Sequence, residues 1–532
     1  MSSWSIDRTA RLYRLSRWGG EYLRITPEGH LCLLPQPDRP DLRVDVSRLL
    51  RDLPGQGRWP VAVHVPAILR HRLDRLSTTL EQAARRQSTP PSWRVIYPLK
   101  ANPRREVVTT LLDHGNGELG VEVGTRSEWL AALSLPQTRR NWLVCHGYKD
   151  EAMMALACRA AQEGQPLVLV LEHVSECRRF LAACPSPPPS LILGLRLRLQ
   201  EADSGHWRHS GGEQAKFGLS ASDLPETVAQ LKTAGLLQRL RMLHFHIGSQ
   251  VAHLSDFRTA ARTAARRVDE LRRLGAPIAI VDAGGGLGID YGLARHSTAF
   301  DIHYTLEAYA DALMGIVANI PGEPVELWIE SGRALTAHHA FLLTHTLPGD
   351  NPEAGVSRGE SPGKNRGKSP GKAMPVPMRF INLSVFRSLP DAWAIHQPFP
   401  VMPLVKLDQP PAQRVVLADP TCDSDGRLTH YAVRGRRGTA LPLPATGPGE
   451  SLPLGIFLTG AYQETLGSLH NLFGEPARAT LEVTGPDTFE MLDWQPAESV
   501  EAVLGRMGYS GVRPAHLDRD EWWQATYGAV KI

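Results

Sequence analysis

The chain is poor in cysteine, has no long apolar run, and carries only a small excess of positive charge. Its 532 residues include only 6 Cys, namely Cys32, Cys145, Cys158, Cys177, Cys184 and Cys422. None forms a C-x-x-C pair, which argues against a zinc site and against a disulfide framework and favours reduced thiols. No stretch of about 18 apolar residues occurs, so no membrane span or membrane partner is expected. The opening residues Met1 to Arg8 carry charge where a signal peptide needs an apolar segment. A soluble, cytoplasmic protein is expected. The 59 Lys+Arg against 55 Asp+Glu leave a formal charge of +4. With no basic block interleaved with aromatics, nucleic acid is not an expected partner.

What is present is a long alternation. Short β-branched runs at 61–65, 94–99, 120–123, 142–145, 167–171, 191–197, 242–247, 279–283 and 326–329 are separated by helical stretches such as 256–274, where Phe257, Ala260, Ala264, Val268 and Leu271 recur at helical spacing. Repeated βα units predict an α/β fold, a closed (β/α)8 barrel of the TIM type, with a second, mostly β domain. The expected division is an N-terminal segment over 1–59 that joins the β domain, a barrel over 60–345, a Gly/Pro/Lys linker over 346–376, and a β-rich domain over 377–532. The linker has no aromatic residue and contains Ser-Pro-Gly-Lys twice.

A barrel presents its chemistry at the C-terminal ends of its strands, and four clusters fall there. Lys100 ends the run Val95-Ile-Tyr-Pro-Leu-Lys. An amine in a desolvated pocket can lose its proton and form an imine with an aldehyde, although an exposed surface lysine is the plainer reading. Asp282-Ala-Gly-Gly-Gly-Leu-Gly-Ile-Asp-Tyr follows another strand, and its glycines let backbone approach a phosphate. Because Tyr291 stands where a dinucleotide fingerprint needs its last glycine, a simpler phosphate cradle or a plain turn remains. Glu330-Ser-Gly-Arg333 offers a carboxylate and a guanidinium, suited to a ring nitrogen and a phosphate or to a surface ion pair. His244 and His246 fall on one side of their strand. No acidic or cysteine partner stands at metal-ligand spacing, so an imidazole lying on an aromatic ring is favoured and no metal site is expected.

Two further stretches need weighing. His338 and His339 read as ordinary helix surface. In the second domain, Pro420-Thr-Cys-Asp-Ser-Asp-Gly426 fails as a calcium loop, because Thr421 and Ala432 occupy ligand positions. It leaves the Cys422 thiol beside Asp423, suited to proton delivery and to holding a cationic substrate tail.

In this order the clusters resemble the biosynthetic arginine decarboxylases, of the fold type III pyridoxal enzymes that also include ornithine and diaminopimelate decarboxylases. The resemblance rests on residues 4–18, 97–102, 147–150, 210–213 with 216–220, 244–250, 282–291, 330–339, 388–393, 422–426 and 460–474. It implies decarboxylation of L-arginine to agmatine within polyamine synthesis, pyridoxal 5'-phosphate as cofactor, and magnesium as a further one. It makes Lys100 the Schiff-base lysine, lays His246 on the cofactor ring, and pairs Glu330 with the pyridine nitrogen. Gly284, Gly285, Gly286, Ser249, Arg333 and Tyr462 surround the phosphate, while Glu122 and Arg196 support lysine and cofactor. Cys422, Asp423 and Asp282 meet the substrate. Cys422 is implied to come from the partner subunit of a homodimer with shared active sites.

This sequence departs from the family in four places. The family's long helical insertion before residue 382 is missing, the part beyond Gly474 is short, His146 stands where asparagine is expected, and Pro103 where glutamine is common. A decarboxylase for ornithine, lysine or another basic amino acid is the nearest rival. A racemase is disfavoured by the carboxylate expected at the pyridine nitrogen, and a non-catalytic pyridoxal-binding regulator is the rival of another class.

Overall fold

A computed structural model of the chain describes residues 4–54, 60–199, 216–292, 300–348, 376–434 and 438–509. Most of the expected linker, and the 210–213 motif, lie outside the described residues. Eight parallel strands close into a barrel: β1 Trp93–Pro98, β2 Gly120–Val123, β3 Leu143–Cys145, β4 Leu167–Leu171, β5 Leu191–Leu197, β6 Leu240–Phe245, β7 Ile280–Asp282 and β8 Glu326–Glu330. Each pairs with the next, and β8 closes on β1 with Glu330 opposite Ile96.

Strand alternation builds the barrel interior in layers. Ile96, Val144, Val168, Val170, Met242, Ile280 and Trp328 form an apolar cluster of their own within it. Two residues further along the strands, the positions become Glu122, His146, Glu172, Arg196, His244, Asp282 and Glu330, whose mutual contacts are described below. Outside, helices close over the other strand face. Helix Leu254–Arg273 buries Phe257, Ala260, Ala261, Ala264, Val268 and Leu271, small enough in the main to bring its backbone close to the sheet.

Nine apolar runs were candidates for eight barrel strands, and the surplus is Val61–His64. It sits in a six-stranded sheet between Ala340–His345, antiparallel, and Ala477–Gly485, parallel. A short apolar run reads alike in either sheet, so periodicity could not separate them. The span 60–345 thus begins and ends with strands of the second domain, which also holds a four-stranded sheet, Met378–Phe380, Gln413–Ala418, Arg427–Leu428 and Leu441–Leu443. The N-terminal segment forms a three-stranded sheet, and it meets that domain where Leu31 N–H donates to Leu404 and Thr9 Oγ1 donates to the Leu407 carbonyl.

Two expectations are corrected here. Cys158 and Cys184 form a disulfide, because helices Glu151–Gln162 and Val174–Ala183 are neighbours on the barrel and bring the two Cα atoms to 5.9 Å. Spacing along the chain carried no sign of that proximity. His339 is not helix surface: it is fully buried, with Nδ1 2.5 Å from the Thr336 carbonyl and its ring against His64. His338, half-buried beside Tyr22, is held neutral by burial. Among the described residues, no helix is long and apolar enough to cross a membrane.

Candidate active site

A cleft of about 270 Å³ opens at the C-terminal ends of the barrel strands. Its walls include Lys100, His246, Ser249, Gly285, Gly286, Glu330, Arg333 and Tyr462, eight residues that the sequence had marked, and Asp391, which it had marked only within a motif. A larger hollow of about 530 Å³ lies between the N-terminal segment and the barrel, and among the described residues no lysine lines it.

Lys100 Nζ lies 2.5 Å from Glu122 Oε2, and the lysine side chain is half-exposed while the carboxylate is buried. Withdrawal from solvent works against the ammonium, yet Glu122 and Glu330 outweigh it and hold its pKa above the usual lysine value. Glu122 is placed to receive the proton that the ammonium would give up.

The glycine turn after β7 is tight. Gly284 has φ +63, and a methyl group there would stand 2.4 Å from the Phe245 carbonyl; at Gly286, φ +110, it would stand 3.0 Å from that of Gly248. Only glycine suits both. The Gly284 N–H is used by Asp282 Oδ1 at 2.8 Å and the Gly285 N–H by His246 Nδ1 at 3.1 Å. What the turn offers an anion is therefore a close, open surface, with charge supplied by Arg333. That guanidinium donates to Tyr291 at 2.7 Å, Gln397 at 3.2 Å and Ser249 at 3.3 Å, and lies over the Tyr462 ring at 4.9 Å. Tyr462 adopts φ +69 and its N–H donates to the Ala101 carbonyl at 2.7 Å, tying the second domain to the lysine's loop.

Beneath the cleft the polar layer converges. His146 Nε2 is 2.7 Å from Glu330 Oε1, while His244 Nδ1 is 3.5 Å from Asp282 Oδ2 and 3.9 Å from Glu330. Arg196 donates to Glu172 at 3.2 Å, and its guanidinium rests on the Phe217 ring. Burial disfavours the charge on Glu330, but His146 in contact with it, with Lys100 further off, holds its carboxyl well below the usual range. Burial opposes charge on His146 too, and there Glu330 and Glu172 win, raising it to about 9. Burial takes His246 down to about 3 and His244 well below its usual value, and pushes Asp282 up to about 8.

Acidic partners for His244 do exist, contrary to expectation; barrel closure brings them from strands far apart in sequence. Ligating atoms of His146, His244, Asp282 and Glu330 lie within 4.8 Å of one another. The contact of 2.7 Å between His146 and Glu330 is nonetheless direct, since a tetrahedral ion with bonds of about 2.0–2.2 Å would hold its ligands roughly 3.3 Å apart.

Three marked residues fall elsewhere. Asp282, expected at the substrate, is wholly buried and shapes the glycine turn, because strand alternation aims it into the barrel. Cys422 and Asp423 do not line the cleft; Cys422 is exposed, with Asn471 Nδ2 3.4 Å from its sulfur. Sequence reasoning missed Glu172, Tyr291 and Gln397 as supports, although Glu172 follows an apolar strand end as Glu330 does.

Residues 76–337 match the model of the pyridoxal-dependent decarboxylase family, its pyridoxal binding domain. The barrel and cleft thus define a pyridoxal-dependent decarboxylase. Along the whole chain, a biosynthetic arginine decarboxylase of Alkalilimnicola ehrlichii is 36% identical over 91% of this chain and 90% of its own length. One from Escherichia coli K12 is 34% identical over 89% and 84%. The chain belongs to the biosynthetic arginine decarboxylase family. The fold agrees with the crystal structure of that enzyme from Campylobacter jejuni, 24% identical, at a TM-score of 0.78 with 96% of each chain covered.

Proposed function

We propose that this chain removes the α-carboxylate of L-arginine, giving agmatine and carbon dioxide, at a pyridoxal 5'-phosphate held in the barrel-top cleft. The single observation that carries the reading is the convergence, in one cleft, of Lys100, the buried Glu330 and the Arg333–Ser249 pair beside the glycine turn. The residues fit the cofactor: a small-residue turn that no Cβ could enter lies next to a fixed guanidinium, and a buried carboxylate stands across from the lysine.

Lys100 would carry the cofactor, with Glu122 taking the proton that Nζ must release. Arg333, Ser249 and the turn Gly284–Gly286 would hold the phosphate, and neutral His246 can lie flat against an aromatic ring without competing for charge. Glu330 would keep a proton at the ring nitrogen, and Arg196 would act through Glu172, to which it donates. When bound, the cofactor supplies the electron sink that accepts the pair left at Cα as carbon dioxide departs. A proton must then return to Cα. Cys422 is the donor in this reading and Asp423 the carboxylate for the guanidinium. Their place on the surface, outside the chain's own cleft, supports a homodimer in which each serves the other subunit's site. The same reading includes a polyamine-forming role in the cytoplasm.

The experiment measures carbon dioxide release from arginine, ornithine, lysine and diaminopimelate, with the visible absorbance of the lysine-bound cofactor, in wild type and Lys100→Ala. Release fastest on arginine, with band and turnover both lost in the variant, is expected. Faster release on another substrate replaces arginine by it, a band without turnover leaves a binding protein, and no band removes the reading. Mixing Lys100→Ala with Cys422→Ala chains tests the shared site, since restored turnover requires two subunits. A magnesium requirement is tested by chelator in the same assay.

A further inference from the structure

His146 is used by no step above, yet it is the residue that touches Glu330 from below. It is 4% exposed, with Nε2 2.7 Å from Glu330 Oε1 and Nδ1 3.8 Å from Glu172 Oε1. Glu172 is itself fixed, accepting from Arg196 and from the Gly147 N–H at 2.7 Å. The contact with Glu330 lies off the line of an ideal hydrogen bond, so it is a meeting of charges that a small turn of the ring would perfect.

We propose that His146 is a positioning residue: braced by Glu172 and Arg196, it holds one oxygen of Glu330 so that the carboxylate presents itself, ionised, to the ring nitrogen of the cofactor. The inference rests on the pyridoxal reading of the cleft.

The surroundings give His146 this part. Glu330 is faced by His244, with Asp282 behind it, by His246 over the cleft, and by Lys100 with its partner Glu122. Burial keeps both other imidazoles neutral and Asp282 protonated near neutral pH, and Lys100 is taken up by Glu122. Of the described residues, His146 is left as the cation in direct contact with Glu330. Without it, Glu330 would share a dry space with neutral rings and a second buried carboxylate, Glu122, a setting that raises a carboxyl's pKa.

The test compares His146→Asn and His146→Gln with wild type, each as the full-length chain. Circular dichroism checks folding, and the pyridoxal phosphate dissociation constant of the apoprotein is measured at pH 8 and pH 6, with the visible spectrum and kcat and KM for arginine. Loss of the contacting charge leaves the burial of Glu330 largely unopposed, and burial moves a carboxyl up by as much as about 3–5 pH units, so cofactor affinity should fall about tenfold or more at pH 6 relative to wild type, with a much smaller change at pH 8. The spectrum should become pH-dependent in that interval, and kcat should fall with KM nearly unmoved. Glutamine, whose longer side chain carries the same uncharged amide donor nearer to Glu330, should restore kcat in part at pH 8 and not the affinity at pH 6. A residue that merely fills space would shift stability without this pH signature.

If the asparagine variant does not fold, the glutamine variant decides by the same comparison. Wild-type spectra, affinities and kcat in the variants would overturn the proposal, as would a stoichiometric transition metal lost with His146. A wild type with no cofactor band instead overturns the pyridoxal reading itself.

Discussion

The lower and upper halves of the barrel interior are built by the same rule and do opposite things. Lower down, Val144, Val170, Met242, Ile280 and Trp328 meet as an apolar plug. One alternation further along the same strands, the inward positions are His146, Glu172, His244, Asp282 and Glu330, every one buried. The plug keeps water from reaching the charges from below, so their interactions act in a poorly polarisable medium, and each charge matters more than it would at a surface. Apolar packing belongs to one layer and chemistry to the other, though a strand residue is only about 3.3 Å long.

Four changes would test that division. Glu330→Gln is expected to have the largest effect, lowering kcat by roughly 10²–10³-fold in a steady-state assay while the fold persists, because it removes a fixed charge from beneath the reaction. Met242→Ala, in the plug, should do the reverse: a loss of about 2–5 kcal/mol in chemical denaturation, with the cofactor's visible band retained in the folded fraction. If Met242→Ala abolished the band while sparing stability, the layers would not be separable.

A third test uses pH. His146 is raised from 6.5 to about 9 in the folded protein, so the folded state binds the extra proton and its contribution to stability is full below pH 6.5. It is lost as pH rises through about 9. Wild type should therefore melt above His146→Asn near pH 6.5, and the gap should close by about pH 9 in thermal scans. The smallest effect is expected from Phe217→Ala, which removes the ring 5.6 Å beneath Arg196. It should raise the cofactor's dissociation constant by no more than about fivefold, the scale of an exposed cation–π contact, by fluorescence titration.

The barrel was legible because each strand announced itself: 120–123, 167–171 and 191–197 coincide with strands to the residue. Lys100 and Glu330 were legible because they end such runs with a charge. The pairings among them were not. His146 and Glu330 are separated by 184 positions, and no local pattern says that β3 faces β8 across a closed ring. For the same reason Asp282 was read toward the substrate when it points into the barrel. The Val61–His64 run was misplaced because an apolar strand is equally at home in either sheet.

That misplaced strand has a mechanical meaning. The chain enters the barrel after Val61–His64 and leaves it into Ala340–His345, and these two lie side by side, paired from Leu343–Val61 to Ala340–His64. The whole barrel is thus a loop hung from a two-stranded strap woven into the neighbouring sheet. A single connecting segment lets two bodies swing, whereas a strap of hydrogen-bonded strands resists bending and torsion together. Substrate entry should therefore come from local movement at the cleft's rim, while Lys100 and Arg333 keep their spacing through every turnover.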